Sequence, residues 1–153
     1  MRTITEGAAA VDDSRLIVRA VLQLGRKLRS VRPRRSVSLS TLSILGTLHR
    51  FGPMAAVTLA QRERLKPQSL TRLLAAMQRQ GLILRRRSET DRRAHFILIT
   101  AKGRRALGRD VRARRRWLDA AMSTQLRPDE RAQLAGAAAL MLRLVAFDTD
   151  DQR

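Results

Sequence analysis

The chain has 153 residues, with 32 Lys and Arg against 13 Asp and Glu, a formal net charge of +19, and no cysteine. That length is one domain's worth, and the missing cysteines exclude disulfides, thiol redox sensing and Cys-ligated metal. So large a charge must be screened, and a polyanion is the natural partner, with an acidic membrane surface or simple solubility as the alternatives.

Other classes drop out on pattern. No apolar run reaches the ~18 residues of a membrane span, so no membrane partner is expected. The start, MRTITEGAAAVDD, has no apolar core like that of a signal peptide, and a cytoplasmic protein is expected. His49 and His95 stand alone in the sequence and make no metal site. No glycine loop for phosphates, Ser–His–acid set or carboxylate pair stands out, so no cofactor and no catalytic residue is expected. The chain does not read as an enzyme.

Residues 1–11 read as disordered. Asp12, Asp13 or Ser14 can cap a first helix running to about Val31. Its main stripe is Leu16, Ile17, Ala20, Val21, Leu24, Leu28 and Val31, and Val18 and Leu22 add a second apolar row. Arg26, Lys27, Arg29 and Arg32 make its end basic, and Pro33 stops it. Ser38 or Ser40 starts a second helix, with Leu42, Leu45, Leu48 and Phe51 inward and Gly52–Pro53 ending it. Met54 to about Arg62 is a short third helix, and RERL is the turn after it.

The centre of the chain is KPQSLTRLLAAMQRQG, Lys66 to Gly81. Leu70, Leu73, Leu74 and Met77 fall at i, i+3, i+4 and i+7, one face of a helix. Gln68, Arg72, Ala75 and Arg79 fall on the opposite face. Gln and Arg are the side chains that read adenine and guanine edges bidentately in the major groove. Pro67 suits the first helical position and Gly81 the close. Taken alone, this reads more readily as an amphipathic helix with a solvated polar face.

The residues after Gly81 turn the reading. Leu82–Arg87 and His95–Ile99 flank the polar stretch Ser88–Ala94, which predicts a β-hairpin with a longer loop. Arg85, Arg86 and Arg87 lie on its first strand, and Arg92 and Arg93 at its tip. From Leu59 to Arg93 ten Lys or Arg face three acids, ten minus three, a local charge of +7. A base-reading helix before an Arg-tipped hairpin is the layout of a winged helix-turn-helix. The fold class expected is mainly α with a small β-wing.

Thr100 caps a long helix through roughly Thr124, with Leu107, Val111, Leu118 and Met122 as its seam. Arg112 and Arg114–Arg116 interrupt that seam and read as a solvated face, or as partners for acids of a neighbouring chain. Pro128–Asp129–Glu130 opens a last helix, its acids at the positive end of the helix. From Ala132 to Phe147 the only polar side chains are Gln133 and Arg143, so this helix must be buried on several sides. A monomer this small could hardly cover it. The first, fifth and sixth helices (12–32 and 101–147) therefore read as a homodimer interface flanking a DNA-binding module at 38–100, with 148–153 as a tail.

At this point the chain resembles the MarR family of bacterial transcriptional regulators. The marks are TLAQR at 58–62, SLTRLL at 69–74, QGLI at 80–83, DRRA at 91–94 and ITAKG at 99–103. The resemblance implies a two-fold dimer that binds double-stranded DNA at a pseudo-palindromic operator, as a repressor. It places base and phosphate contacts on Pro67, Gln68, Ser69, Thr71 and Arg72. In the wing it makes Asp91 the residue that steadies the tip and Arg93 the one that enters the minor groove. With Lys66, Arg79, Arg86 and Arg92 these complete the expected DNA-binding set. Where an anionic aromatic effector acts, it is expected beside helices one, two and five, at Arg26, Arg29 and Trp117. Two departures stand out: Glu63 and Arg64 replace the usual apolar residue and glycine of the turn, and the chain offers few aromatics, three Phe, one Trp and no Tyr, to line a pocket. The competing readings are a nucleoid-type or RNA-associated basic protein, and an adaptor whose last helix binds a different chain.

Overall fold

In the computed structural model, residues 3–87, 95–145 and 147 are described, with the side chains described from residue 12. Six helices and three strands come in the order α1 (Thr3–Ser30), α2 (Leu39–Phe51), β1 (Met54–Ala55), α3 (Ala56–Glu63), α4 (Pro67–Arg79), β2 (Ile83–Arg87), β3 (His95–Ile99), α5 (Ala101–Gln125) and α6 (Pro128–Leu144). The chain is thus mainly helical with a small antiparallel sheet, as the sequence predicts. It divides into two compact units, Met1–Arg114 and Arg115–Arg153.

Local chemistry sets most of the boundaries. Ser38 caps α2, its Oγ accepting the Thr41 N–H at 3.1 Å. Thr100 caps α5 in the same way, accepting the Gly103 N–H at 3.0 Å while its hydroxyl donates to the carbonyls of Gly81 and Leu82. Pro67 occupies the first turn of α4, and α4 closes on Gly81 at φ +70°.

Four expectations need correction. Helix α1 starts at Thr3, so Asp12, Asp13 and Ser14 lie inside it rather than at its cap, and residues 3–11 continue it. Met54 and Ala55 are not helical: they form a third strand, paired antiparallel with β3 (Met54 with Ile97, Ala55 with Phe96). Phe51 does not face inward; it is half exposed, and its ring lies under the guanidiniums of Arg62 and Arg50, 4.2 and 5.2 Å from the centroid. Arg114 is not on a solvated face, because it pairs with a buried carboxylate of its own helix.

The core sits within the winged module. Ile44, Leu45 and Leu48 of α2, Leu59 of α3, Leu70, Leu74 and Met77 of α4, and Ile83 and Ile97 of the sheet are fully buried together. Leu70, Leu74 and Met77 are the face predicted for α4, with Leu73 packed at its margin. Helix α5 enters this core through Gly103 and Ala106. Asp110, one turn on, is buried as well. Its Oδ1 accepts from Arg32 Nε at 2.7 Å and from the Ser36 hydroxyl at 3.3 Å, and its Oδ2 pairs with Arg114 Nη2 at 2.6 Å. Arg32 also donates to the Val37 carbonyl. The end of α1, the α1–α2 loop and α5 are therefore tied by one carboxylate.

The outer helices are packed differently. Leu16, Ile17, Val18, Val21, Leu22 and Leu24 of α1 are exposed, as are Leu134, Leu140, Leu142 and Leu144 of α6. Among the described residues of α6 none is buried. At its start the Glu130 carboxylate accepts the Arg127 N–H at 2.8 Å, one half of a capping box.

Candidate nucleic-acid interface

The site begins with how α4 is held. Helix α3 ends in a turn whose C-cap, Arg64, takes the left-handed conformation (φ 50°, ψ 40°). The Leu65 N–H reaches the Ala60 carbonyl at 3.0 Å and the Arg64 N–H the Gln61 carbonyl at 3.1 Å, the two bonds of a Schellman motif. The same pair closes α4, from Leu82 to Met77 at 2.9 Å and from Gly81 to Gln78 at 2.9 Å. Arg64 thus stands where a glycine would be easiest, at a conformational cost of roughly 1 kcal/mol.

Glu63 accounts for the other half of the departure. Its carboxylate accepts hydrogen bonds from Ser43 at 2.6 Å and from Thr47, both on α2. An apolar residue would pack here; this chain pins the turn to α2 with a charged acceptor instead. The α3–α4 angle is therefore set by Leu59, Ala60 and Leu70 in the core and by Glu63 at the rim.

With α4 fixed on its apolar face, its other side is open. Gln68, Ser69, Thr71, Arg72 and Arg79 are exposed, and Ala75 is half-buried between them. The Thr71 hydroxyl donates to the Pro67 carbonyl at 2.9 Å, leaving its methyl and oxygen lone pairs to face outward. Lys66 is the N-cap and makes no side-chain cap bond, so the first N–H groups of α4 stay available to an anion. Between α3 and the start of α4 runs a groove of about 680 Å³, largely apolar, with Gln61, Arg64, Lys66 and Thr71 along it.

The hairpin places a second set of cations. Strand β2 pairs with β3 in the register Ile83–Ile99, Leu84–Leu98, Arg85–Ile97, Arg86–Phe96 and Arg87–His95. Ile83 and Ile97 anchor the sheet in the core, while Arg85, Arg86 and Arg87 are exposed. Asp91, Arg92 and Arg93 lie outside the described residues. Of the expected DNA-binding residues, Lys66, Pro67, Gln68, Ser69, Thr71, Arg72 and Arg79 are thus exposed at the start and along α4, and Arg86 is exposed on the hairpin that follows.

The expected effector residues lie on α1 and in the second unit. Arg26 and Arg29 are exposed on α1, and Arg26 lines a shallow depression there with Arg15, Val18, Arg19 and Leu22. Trp117 is half-buried in the second unit. A cavity of about 270 Å³ does lie at the junction of the α1–α2 loop with α5, but Pro33, Arg35, Ser36, Val37, Ala106 and Arg109 line it. Sequence reading also missed Asp110, and it marked Glu63 only as a departure without its partners on α2. The one acid between Arg109 and Arg112 on an arginine-rich helix was the available signal for the first.

Comparison with known proteins agrees with this geometry. Residues 37–95 match the model of the MarR family. An HTH-type transcriptional regulator of Mycobacterium bovis is 40% identical over 126 residues, 82% of this chain and 87% of that protein. A solved transcriptional regulator from Pseudomonas aeruginosa superposes with a TM-score of 0.80 at 31% identity, covering 92% of this chain and 98% of that one. A mutant of MepR from S. aureus, solved bound to an oligodeoxyribonucleotide, shares the fold with a TM-score of 0.64 at 19% identity, over 86% of this chain and 96% of that one. The chain belongs to the MarR family of transcriptional regulators, DNA-binding proteins built on a winged helix.

Proposed function

We propose that the protein is a cytoplasmic homodimer that represses transcription by occupying a pseudo-palindromic operator. The observation that carries this reading is the open N-terminal half of α4, where Gln68, Ser69, Thr71 and Arg72 are exposed on a helix whose opposite face is locked into the core. Arg72 and Gln68 read base edges, and the Thr71 methyl suits a thymine methyl. Lys66 and Ser69, at the helix start, with Arg79 and Arg86, engage phosphates, while Pro67, which has no N–H to donate, packs against the sugar-phosphate backbone. The wing residues Arg92 and Arg93 track the groove, with Arg93 in the minor groove and Asp91 orienting it. The DNA-bound relative among the structures of this fold supports such a mode.

The dimer rests on area. Twelve large apolar side chains are exposed between α1 and the α6 end: Leu16, Ile17, Val18, Val21, Leu22, Leu24, Leu134, Leu140, Leu142, Leu144, Val145 and Phe147. At ~1 kcal/mol each, covering the set on both protomers supplies on the order of 20 kcal/mol, against an association cost of roughly 4–15 kcal/mol. A two-fold dimer sets half-sites about one turn, ~10 bp, apart. Sedimentation of the intact chain should give twice the monomer mass; a monomer at micromolar concentration contradicts the proposal.

Where an effector acts, it is a small anion at the junction of helices one, two and five. Arg35 and Arg109 line the cavity there, and Arg26 and Arg29 lie toward the end of α1. Trp117 lies in the other unit, and this proposal does not rest on it. The function as a whole is tested by selecting bound sequences from a random DNA pool. A palindromic consensus supports a regulator, and recovery of unenriched DNA supports a nucleoid-type protein.

A further inference from the structure

The groove between α3 and the start of α4 offers chemistry that DNA does not match. It holds about 680 Å³, within the roughly 300–1,000 Å³ of small-molecule sites, which are mostly apolar with few polar groups. The buried Ala60 and Leu70 line it, together with Ala56, Val57, Leu65 and Pro67. Val57 is 70% exposed, more than any other large apolar side chain described outside α1 and residues 128–147. It belongs to α3, away from the surfaces given to the dimer. The groove is also polarised along its length. Ala56 and Val57 stand at its apolar end, and Arg64 and Lys66 at its cationic end, about 12 Å further along α3 and its turn.

We propose that this groove binds a single-chain amphipathic carboxylate, and that the bound molecule excludes DNA. Its head pairs with Arg64 and Lys66, and its hydrocarbon body covers Val57 and Ala56. A phosphodiester complements only the cationic end. Seated against the apolar end, it would lose water from a charge with no partner in exchange. A hydrocarbon gains there what the phosphate loses. Exclusion follows from shared residues. Lys66 and Thr71, both given to DNA above, line the same groove, so one surface cannot serve both ligands at once. The groove is distinct from the cavity at Arg35 and Arg109, which no residue of α3 or α4 lines. The exclusion rests on α4 facing DNA, whereas binding of the carboxylate does not.

The test titrates decanoate, below its micelle-forming concentration, into the full-length protein in a calorimeter without DNA. Decanoate should bind. Butyrate, which lacks the body, and decanol, which lacks the charge, should each bind at least about tenfold more weakly. Val57→Asp sets a carboxylate against the hydrocarbon and should weaken decanoate at least about tenfold, with melting unchanged because the side chain is exposed. Competition is then read on a mixed-sequence duplex, as a ratio within each protein, so a direct effect of the new acid on DNA cancels. Decanoate at about ten times its wild-type dissociation constant should raise the apparent Kd of wild type for the duplex about tenfold. The same concentration should raise that of Val57→Asp by no more than about twofold. Neither readout uses an operator, so loss of the sequence-reading account, seen as unchanged preference in Arg72→Ala, is a separate result. No binding of decanoate, equal affinity for decanol, or unchanged affinity in Val57→Asp would each overturn the proposal, the last by placing the molecule on the outer helices. Decanoate bound with duplex affinity unaltered would overturn it as well.

Discussion

Gly103 stands against the backbone of Leu82: a Cβ built on it would lie 2.2 Å from the Leu82 carbonyl oxygen, 2.9 Å from Ile99 Cγ1 and 3.1 Å from Leu45 Cδ2. The same Leu82 carbonyl accepts hydrogen bonds from the N–H and hydroxyl of Thr100. Thr100 and Gly103 thus form one joint between the hairpin, the end of α4 and the first turn of α5. The threonine supplies the bonds, and the glycine supplies the room.

Gly103→Ala should therefore destabilise the winged module by about 3 kcal/mol, because backbone and core side chains must both move. Ala101→Gly, two residues away and exposed, should cost no more than ~1 kcal/mol. Urea denaturation of both variants checks this. Equal, small losses would mean that α5 slides at no cost and that the joint is not tight.

Asp110 makes a second prediction. Two guanidiniums converge on a carboxylate that is 2% exposed, and Asp110→Ala would leave both without their anion. Breaking a buried pair by removing one partner costs about 3–5 kcal/mol; since Arg114 keeps 32% of its side-chain surface, the lower end applies. Arg115→Ala, whose pairing with Asp119 is at 3.7 Å and exposed, should shift the midpoint little. Comparable midpoints for the two variants would contradict the anchoring role given to Asp110.

The two Schellman turns predict opposite signs. Gly81→Ala places a side chain at φ +70° with only Lys102 Cδ nearby at 3.8 Å, so its cost is conformational, about 1 kcal/mol. Arg64→Gly relieves the same kind of strain and should leave stability unchanged or raise it by up to ~1 kcal/mol. In a domain of this size such changes move the melting temperature by about 2–4 °C. A clear loss for Arg64→Gly would show that its side chain contributes more than the left-handed geometry costs.

These residues also mark how far the sequence could be read. Ser38, Pro67 and Gly81 act on groups within a few positions of themselves, as does the cap that Thr100 gives Gly103, and the apolar period of Leu70, Leu74 and Met77 is local too, so most of the winged module was legible. The strand at Met54–Ala55 was not: two residues cannot announce a strand, and its partner lies more than forty positions away at Phe96–Ile97. Asp110 and Arg32 are 78 residues apart, and an acid among arginines reads as surface until the loop that buries it is known. Glu63 was visible only as a departure from a pattern. Its meaning needed Ser43 and Thr47, one and two turns along a different helix. Phe51 kept the helical period of the core, yet α2 ends there, beyond the core's edge.

The central claim is that α4 reads sequence. The most direct measurement is the affinity of wild type and Arg72→Ala for the selected operator and for random DNA, at one physiological salt concentration. Wild type should prefer the operator by ~10³ or more. Arg72→Ala should lose ~1–3 kcal/mol on the operator and relax one position in each half-site. Binding to random DNA should fall by much less. A wild-type preference near unity, or equal losses on both DNAs, would contradict the account and make α4 a helix that touches only phosphates.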